Sequence, residues 1–527
     1  MTVYPEIRSG IVRRIRSFIL ILFLISPLYV HSQDDIFRQI ISLPRQNSSV
    51  YSVLNQISGQ SGYYFVYNTE LLDSDKRIRL RGGEKPLADW LEEIIDDPSL
   101  NFQIIENHIL VYQQNSVEMT DEYKSGYGSS TDLFTIQGRV LDEGSRDPLP
   151  FATIGIQGEP LGITTNSDGV FTLQLSQENI SKYVTVSHLG YRQQVIPVIL
   201  FAENKVDILL ETEYVSIQEV MIRYYDPLLI VNSAMDKINE NYSEKPVYLM
   251  NFYREGVLKS DRFINYSEAI FQVYKSPYDI RPEADQVRLL KSRSISNVDR
   301  SDTLVIKIRA GVKSSLGLDF IKNIPDFLDP EYIGEYEFMK TDIISYNGNM
   351  AYAVSFEQKQ HITQPLYKGI LYIEMETLAF LGADFEVHPR YINKAQNQFL
   401  TRKNRNYRAT IDKAAYSVSY KYFDGRYHLN HVRADLHLKY RKRYQIFSSN
   451  YHVFVEMATS KIETENVDRF DRKEVLRTDR VFQDGNHVYD PGFWMGYSII
   501  APEEKITNSL MLIESKIESV IAEQNEE

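Results

Sequence analysis

The sequence has no cysteine and only two tryptophans in 527 residues. Without cysteine there is no disulfide to form and no thiol to acylate as a lipid anchor. Positive charge is scarce relative to negative: 58 Lys and Arg stand against 71 Asp and Glu, a net charge of −13. With no basic stripe to neutralise phosphates, nucleic acid is excluded as a partner class. Beyond the first 32 residues no apolar run reaches about 18 residues, so no transmembrane helix is expected in the mature chain. Neither His-Glu-x-x-His nor His-x-x-Glu occurs, which leaves no zinc-peptidase signature. Tyrosine, in contrast, is abundant at 37 residues, alongside 43% hydrophobic and 24% charged residues. This composition predicts folded, β-rich domains with real cores and partly wet aromatic surfaces.

The N-terminus carries Arg8, Arg13, Arg14 and Arg16, then the apolar run Phe18 to Ile25, then Pro27 and the small residue Ser32. That order of basic, apolar and small predicts a secretory signal peptide over residues 1–32, cleaved near His31 to Gln33. The expected location is the periplasm, peripheral to the outer membrane.

From 35 to 114 two helices are predicted by 3.6-residue spacing, one through Val50, Val53, Leu54 and Ile57, the other through Leu87, Trp90, Leu91, Ile94 and Ile95. Ser48 or Ser49 caps the first, Pro86 opens the second, and Asp97-Pro98 stops it. Strands are expected at Tyr63 to Tyr67, Phe102 to Ile105 and His108 to Tyr112, the last two joined at Glu106-Asn107. The order of these elements resembles the short N-terminal domain shared by secretins and TonB-dependent receptors. That resemblance implies a docking or signalling module, not a catalyst. Residues 115–132 are polar, rich in Gly and Ser, and read as a linker.

Residues 134–223 alternate in short strands separated by turn signals, the pattern of a β-sandwich. Asn166-Ser-Asp-Gly169 is a turn in which Asn and Asp bond nearby backbone and Gly accepts positive φ; Asp147-Pro-Leu-Pro150 is expected to launch an edge strand. Four segments in succession, Phe134 to Asp142, Asp147 to Ile154, Gly162 to Phe171 and Val184 to Tyr191, resemble the signatures of the carboxypeptidase-regulatory-like domain. The relation concerns the accessory sandwich of those peptidases, so a structural role is implied and not catalysis.

Residues 224–527 open with a predicted helix, Asp226 to Asn239, followed by long strands, two of them joined through Asp424-Gly425. The run Lys368 to Phe380 is similar to an element of the LolA-like half-barrel, with Glu374 where that element has Asp. Asn251 to Glu255, Tyr274 to Tyr278 and Asp490 to Tyr497 resemble the uncharacterised C-terminal region of Bacteroidetes proteins known by their carboxypeptidase-regulatory-like domain. An outer-membrane barrel is disfavoured, because Gln398 to Lys413 is crowded with Arg and Lys and Ile506 to Glu523 reads as a polar amphipathic helix. The expected fold class is therefore multidomain and mainly β: a small α+β N-terminal domain, an Ig-like or prealbumin-like sandwich, and a large antiparallel C-terminal sheet with flanking helices.

Few residues suggest chemistry. His431, Asp435 and His437 fall on one side of an alternating strand and are the weak metal candidates, with Arg433 and Lys439 beside them opposing a cation. His428 reads as out of phase, and that side of the strand reads as solvated. Ser187 and His188 are strand neighbours pointing to opposite faces, so no triad is implied. Phe493, Trp494 and Tyr497 read as an aromatic knot locking the C-terminal segment onto the sheet. No catalytic residue and no cofactor are expected. The favoured function is a non-enzymatic envelope interaction protein with outer-membrane proteins or the TonB system as partners. The alternatives are a carrier of lipid or glycan on the C-terminal sheet, and a hydrolase with an unrecognised C-terminal site.

Overall fold

The computed structural model describes residues 36–67, 72, 76–105, 108–113, 133–201, 205–213, 226–260, 262–278, 283–296, 311–395, 407–442, 448–480, 482, 497–503 and 506. The signal peptide expected over 1–32, the linker expected over 115–132, the turn expected at Glu106-Asn107, Phe493-Trp494 and the helix expected past Ile506 lie outside the described residues. The chain divides into two compact units, with the division at residues 117 and 118.

In the first unit, strands β1 (Ile40–Leu43) and β2 (Gln46–Ser49) precede helix α1 (Val50–Ser61), and β3 (Tyr64–Tyr67), β4 (Arg77–Leu80) and β5 (Gly83–Pro86) precede α2 (Leu87–Ile95). Ser49 is the cap of α1, its hydroxyl accepting from the Ser52 N–H at 3.2 Å. Pro86 sits one residue before α2 and not in its first turn, and Asp96, in left-handed conformation at φ 44°, ends the helix ahead of Asp97-Pro98. A closing hairpin of β6 (Leu100–Ile105) and β7 (His108–Gln113) adds β3 in parallel. Both apolar helix stripes are buried against β1 and β7, and the Trp90 indole N–H donates to the Ile41 carbonyl at 2.9 Å. The short strands β1, β2, β4 and β5 carry no alternation long enough to have been legible.

The second unit begins with the sandwich. One sheet is ordered β11 (Val170–Ser176), β8 (Leu133–Asp142), β14 (Lys205–Leu210); the other is ordered β10 (Gly162–Thr164), β9 (Thr153–Ile156), β12 (Tyr183–Ser187), β13 (Gln194–Pro197). Strict alternation along β11 sends Phe171, Leu173 and Leu175 into the core. The Asn166 turn forms as its residues require: Asn166 Oδ1 accepts from the N–H groups of Asp168 (2.9 Å) and Val170 (2.8 Å), and Gly169 takes φ 73°. The strand after Asp147-Pro-Leu-Pro150 is not an edge. β9 lies between β10 and β12, and the prolines occupy irregular chain before it, with Pro148 bridged to Leu141.

Helices α3 (Pro227–Asp236) and α4 (Ile238–Asn241) lead into a ten-stranded antiparallel sheet. Asp226 caps α3, its side chain accepting from the Leu228 N–H at 3.0 Å. The sheet contains β15 (Val247–Lys259), β16 (Arg262–Lys275), β17 (Gln286–Ser296), β18 (Tyr336–Tyr346), β19 (Asn349–Gln358), β20 (Tyr367–Glu374), β21 (Phe380–Val387), β22 (Tyr407–Phe423), β23 (Arg426–Lys442) and β24 (Ser449–Glu463). Its order is 17-16-15-24-23-22-21-20-19-18: two meanders joined where β24 pairs with β15. The two-residue turns Asn347-Gly348 and Asp424-Gly425 have positive φ at both positions, matching the twist of the strands they join. Between β17 and β18 lies α5 (Gly311–Gly317). Glu374 fastens the turn between β20 and β21, accepting from Asn349 Nδ2 at 2.6 Å and from Thr377. Mainly β architecture, the sandwich and the large antiparallel sheet are as the sequence predicted. Among the described strands the sheet is open, with β17 and β18 at its edges.

One face of this sheet is packed. Ile230, Val231 and Ala234 of α3, Val312 of α5, and Phe320, Ile321, Phe327 and Leu328 after it bury Leu371, Ile373, Phe385, Val418, Tyr420 and Val432. Phe327 stacks on Phe356 at 4.3 Å, and Phe320 meets Phe380 edge-on at 5.6 Å. The opposite face is polar and carries the candidate site.

Candidate functional site

The strand registers place one residue from each strand in a single row across the polar face: Arg293, Glu268, Arg254, Glu456, Arg433, Ser417, Asp384, Ile370, Ser355, Met339. Its first five members alternate in charge. Arg293 Nε donates to Glu268 at 2.7 Å; Arg254 lies 3.4 Å from Glu268 and 3.6 Å from Glu456; Arg433 lies 3.5 Å from Glu456. Arg254, Glu268 and Glu456 are at most 1% exposed. Burial alone would raise the Glu456 carboxyl, but Arg433, His431 and Arg254 outweigh it and hold it down to about 2.

The metal candidates do not converge. His431 Nε2 is 2.9 Å from Glu456, and its ring stacks on Phe151 at 4.7 Å. Asp435 forms a bidentate pair with Arg433 (2.8 and 3.2 Å) and meets His452 at 2.7 Å. His437 stacks on His452 with ring centroids 4.3 Å apart. Among the described residues no group of three His, Asp or Glu is placed to hold a metal ion. Two expectations are corrected. The strand side carrying His431 and Arg433 is not solvated: they are 1% and 7% exposed, because the sandwich and residues 497–503 cover them. His428 is also not out of phase, since Asn430 is an extra residue in β23. The pairing shifts there, so Leu429 sits opposite Tyr420 in the core and His428 opposite Lys421 on the polar face, the side of His431. Ser187 and His188 form no triad; the His188 ring nitrogens face the carbonyls of Leu189 and Pro150.

The cover is built from two pieces. Ile499 pairs with Thr172 of β11, and the Gln174 N–H donates to Ser498 Oγ at 3.1 Å, so this segment extends the sandwich sheet by one short strand. Its carbonyls then serve both partners. Arg254 Nη2 donates to Ile500 O, and Asn166 Nδ2 donates to the carbonyls of Ala501 (3.1 Å) and Pro502 (3.2 Å). Arg433 Nη1 reaches Glu503 at 3.1 Å. The Asn166 amide therefore builds its own turn through its oxygen and ties the sandwich to the sheet through its nitrogen. The second piece is the Phe151 loop, with Asn430 Nδ2 donating to Thr153 Oγ1 at 3.1 Å beside it.

Past this cover, the same face opens into a groove of about 570 Å³. Its floor is the outer half of the row, Arg433 to Met339, together with the next row, Asp435, Ala415, Glu386, Lys368 and Glu357; Phe151 stands on its rim. Lys368 pairs with Glu386 at 3.2 Å, and Asp384 accepts from the Tyr372 hydroxyl at 3.1 Å.

The packed face holds two further groups that sequence reasoning missed. Lys275, Asp285, Asp319 and Lys322 form a buried network: Lys275 Nζ is 2.8 Å from Asp285 and 2.5 Å from Asp319, which also accepts from the hydroxyls of Tyr278 and Tyr420, each at 2.8 Å. Glu255 is fully buried opposite Ser267 and Val455, accepting from the Tyr253 hydroxyl at 2.6 Å, and burial pushes its carboxyl up to about 7. Between pH 4.5 and about 7 the native state thus keeps a proton that the unfolded chain has released. Stability falls as pH rises through that window, by about 3 kcal/mol in total. Glu255→Gln removes this decline, and urea unfolding at pH 5 and pH 8 reads it as a mutant whose two stabilities differ less than those of the parent.

Residues 136–222 match the CarboxypepD_reg-like domain family. That domain is a non-catalytic one, and the match covers the sandwich alone. No curated protein matches the chain. Among solved structures, a DUF1329 family protein from Desulfovibrio piger aligns at 11% identity over 48% of this chain and 100% of its own, with a TM-score of 0.21. A domain assigned to outer membrane lipoprotein sorting, from Vibrio parahaemolyticus, aligns at 11% identity over 47% of this chain and 96% of its own, also at 0.21. Lipovitellin aligns at 7% identity over 45% of this chain and 27% of its own, again at 0.21. No inference about ligand or activity rests on likenesses at that level. Among the described residues no helix is long and apolar enough to cross a membrane, which says nothing of strands.

Proposed function

We propose that the chain is a non-enzymatic cell-envelope binding protein, exported by residues 1–32, in which the sandwich and the ten-stranded sheet together present the groove beside Phe151 to an envelope ligand. Residues 35–114 act as the docking module toward outer-membrane proteins or the TonB system. One observation carries this reading: the charges of the ladder from Arg293 to Arg433 are engaged with one another, as are Lys368 and Glu386, and the open feature they border is a preformed trough within the size range of ligand sites. The packed face is filled by aromatic side chains, which disfavours a lipid cavity there.

A photo-crosslinking residue tests the reading when placed at Met339 or Lys413 in the groove and, as control, at Tyr422, which is 61% exposed and lies outside it. In cells, the two groove positions give adducts with a component of the outer membrane or periplasm, identified by mass spectrometry, and the control does not. Equal adducts at Tyr422, or protein retained in the cytoplasmic fraction, would sink the proposal.

A further inference from the structure

Phe151 has φ 61°, a left-handed conformation that a bulky side chain adopts only at a cost of roughly 1–3 kcal/mol. Its surroundings hold it there. The Phe151 N–H donates to the Thr165 carbonyl at 3.1 Å, the Ala152 N–H to Thr165 Oγ1 at 2.9 Å, and that hydroxyl in turn to the Leu149 carbonyl at 2.7 Å. Glycine would satisfy the same loop without strain. One ring face is stacked on His431, the Arg433 guanidinium lies 5.7 Å from the ring centroid, and the half-buried ring remains part of the groove lining. A strained aromatic at the rim of a preformed trough is a feature that folding alone does not require.

The floor indicates what such an aromatic would meet. It crosses six neighbouring strands, so its side chains repeat at the inter-strand spacing of about 4.8 Å over a length of about 24 Å. That repeat is close to the advance of one pyranose residue along an extended chain. Its charges nearly balance, with Lys368, Lys413 and Arg433 against Glu357, Asp384, Glu386 and Asp435, and two of these pairs are in direct contact, Lys368 with Glu386 and Arg433 with Asp435, so the trough offers little net field to attract an ion of either sign. Each pair nevertheless presents a donor and an acceptor side by side, the arrangement that neighbouring hydroxyls of a sugar can bridge. An acyl chain would find the outward apolar side chains of Met339, Ile370 and Ala415 interrupted by Ser355, Asp384, Glu386 and Asp435 in the same rows. An extended peptide would find an unpaired strand edge only along β18 at the end of the floor, since β19 to β23 are paired on both sides.

We propose that the groove binds a neutral oligosaccharide, with Phe151 as the stacking platform and Arg433, Asp435, Lys368, Glu386 and Asp384 as its hydrogen-bonding floor. This rests on the reading of the groove as the ligand site. The test is retention of the full chain on an array of neutral oligosaccharides, followed by titration of the best binder against three variants. Phe151→Gly relieves the backbone strain, which offsets the packing lost on His431 and keeps the melting temperature near that of the parent, while binding weakens about tenfold, as expected for a lost aromatic stack. Phe151→Trp keeps the platform and retains binding within about threefold, a change of about 0.6 kcal/mol. Lys368→Met, which leaves Glu386 charged, weakens binding without touching the stack. If no neutral glycan is retained, or if Phe151→Gly binds like the parent, the oligosaccharide assignment is overturned. Should groove crosslinks at Met339 or Lys413 still trap an envelope component in that case, the binding function stands with a different ligand, such as a peptide. Absence of both removes both.

Discussion

Arg254→Met is expected to cost about 3–5 kcal/mol, because it leaves Glu268 and Glu456 buried with one cation fewer between them. The loss should be asymmetric. Arg254 is also the donor to the carbonyls of Ile500 and Ala501, so the segment that joins sandwich to sheet loses its anchor on the sheet side while Asn166 still holds it to the sandwich. Limited proteolysis should therefore cut near residues 497–503 before the sheet is attacked, and urea unfolding should shift to lower concentration. Adding Glu456→Gln to Arg254→Met removes the charge left behind and recovers part of the loss, although His431 and Arg433 then face a neutral amide in place of a carboxylate. A single-variant loss under about 1 kcal/mol would show that the ladder is solvated and not buried.

Lys275→Met is expected to be of similar size, about 3–5 kcal/mol, for a different reason. Lys322 still pairs with Asp285 at 2.5 Å, so the uncompensated charge falls on Asp319, which is fully buried and left with two tyrosine hydroxyls. Lys275→Met with Asp319→Asn should recover much of the loss, whereas Lys275→Met with Asp285→Asn should not. The pH dependence carries a sign for each group. Although burial opposes its charge, Asp285 and Asp319 raise Lys275 above the ordinary lysine value, so its contribution is complete below about 10.4 and disappears as pH rises beyond it. Asp285 lies below the ordinary value because Lys275 and Lys322 outweigh its burial, so its contribution is complete above about 3.9 and is lost as pH falls below that. The network should stabilise throughout the interval between, and stability curves of the parent and the Lys275→Met variant should converge at both extremes.

Local signals were legible where they depended on neighbours in sequence. The apolar stripes of α1 and α2, the Ser49 cap, the Asn166 turn and the Asp424-Gly425 hairpin follow from spacing and turn chemistry that a few residues contain. The alternation of β23 was also read correctly from His431 onward, whereas before it the inserted Asn430 reversed the assignment of His428. What could not be read was which strand faces which. Arg254, Glu268 and Glu456 each look like a charge misplaced in an apolar strand, and only the pairing of β15 with both β16 and β24 makes them one row. A charge embedded in a run such as Val453-Phe-Val-Glu-Met-Ala458 was the available signal, since an ion in that setting needs a partner. The groove was hidden for the same reason, being a property of two rows and of a sandwich loop nearly three hundred residues from Arg433.

The joining of the two meanders by β24 also shapes the order of events when the chain first folds. β15 and β16 form a local hairpin, and β18 to β23 follow one another as nearest neighbours. The seam between β15 and β24, however, pairs residues about two hundred positions apart, such as Tyr248 with Glu463. Contacts of that sequence separation form late, because the intervening loop must be closed before they contribute. Until residue 463 is available, Arg254 has no Glu456 and the edge of β15 has no partner. The ten-stranded sheet therefore remains incompletely folded until its last strand is present, while the sheets of the first unit and of the sandwich are complete without β24.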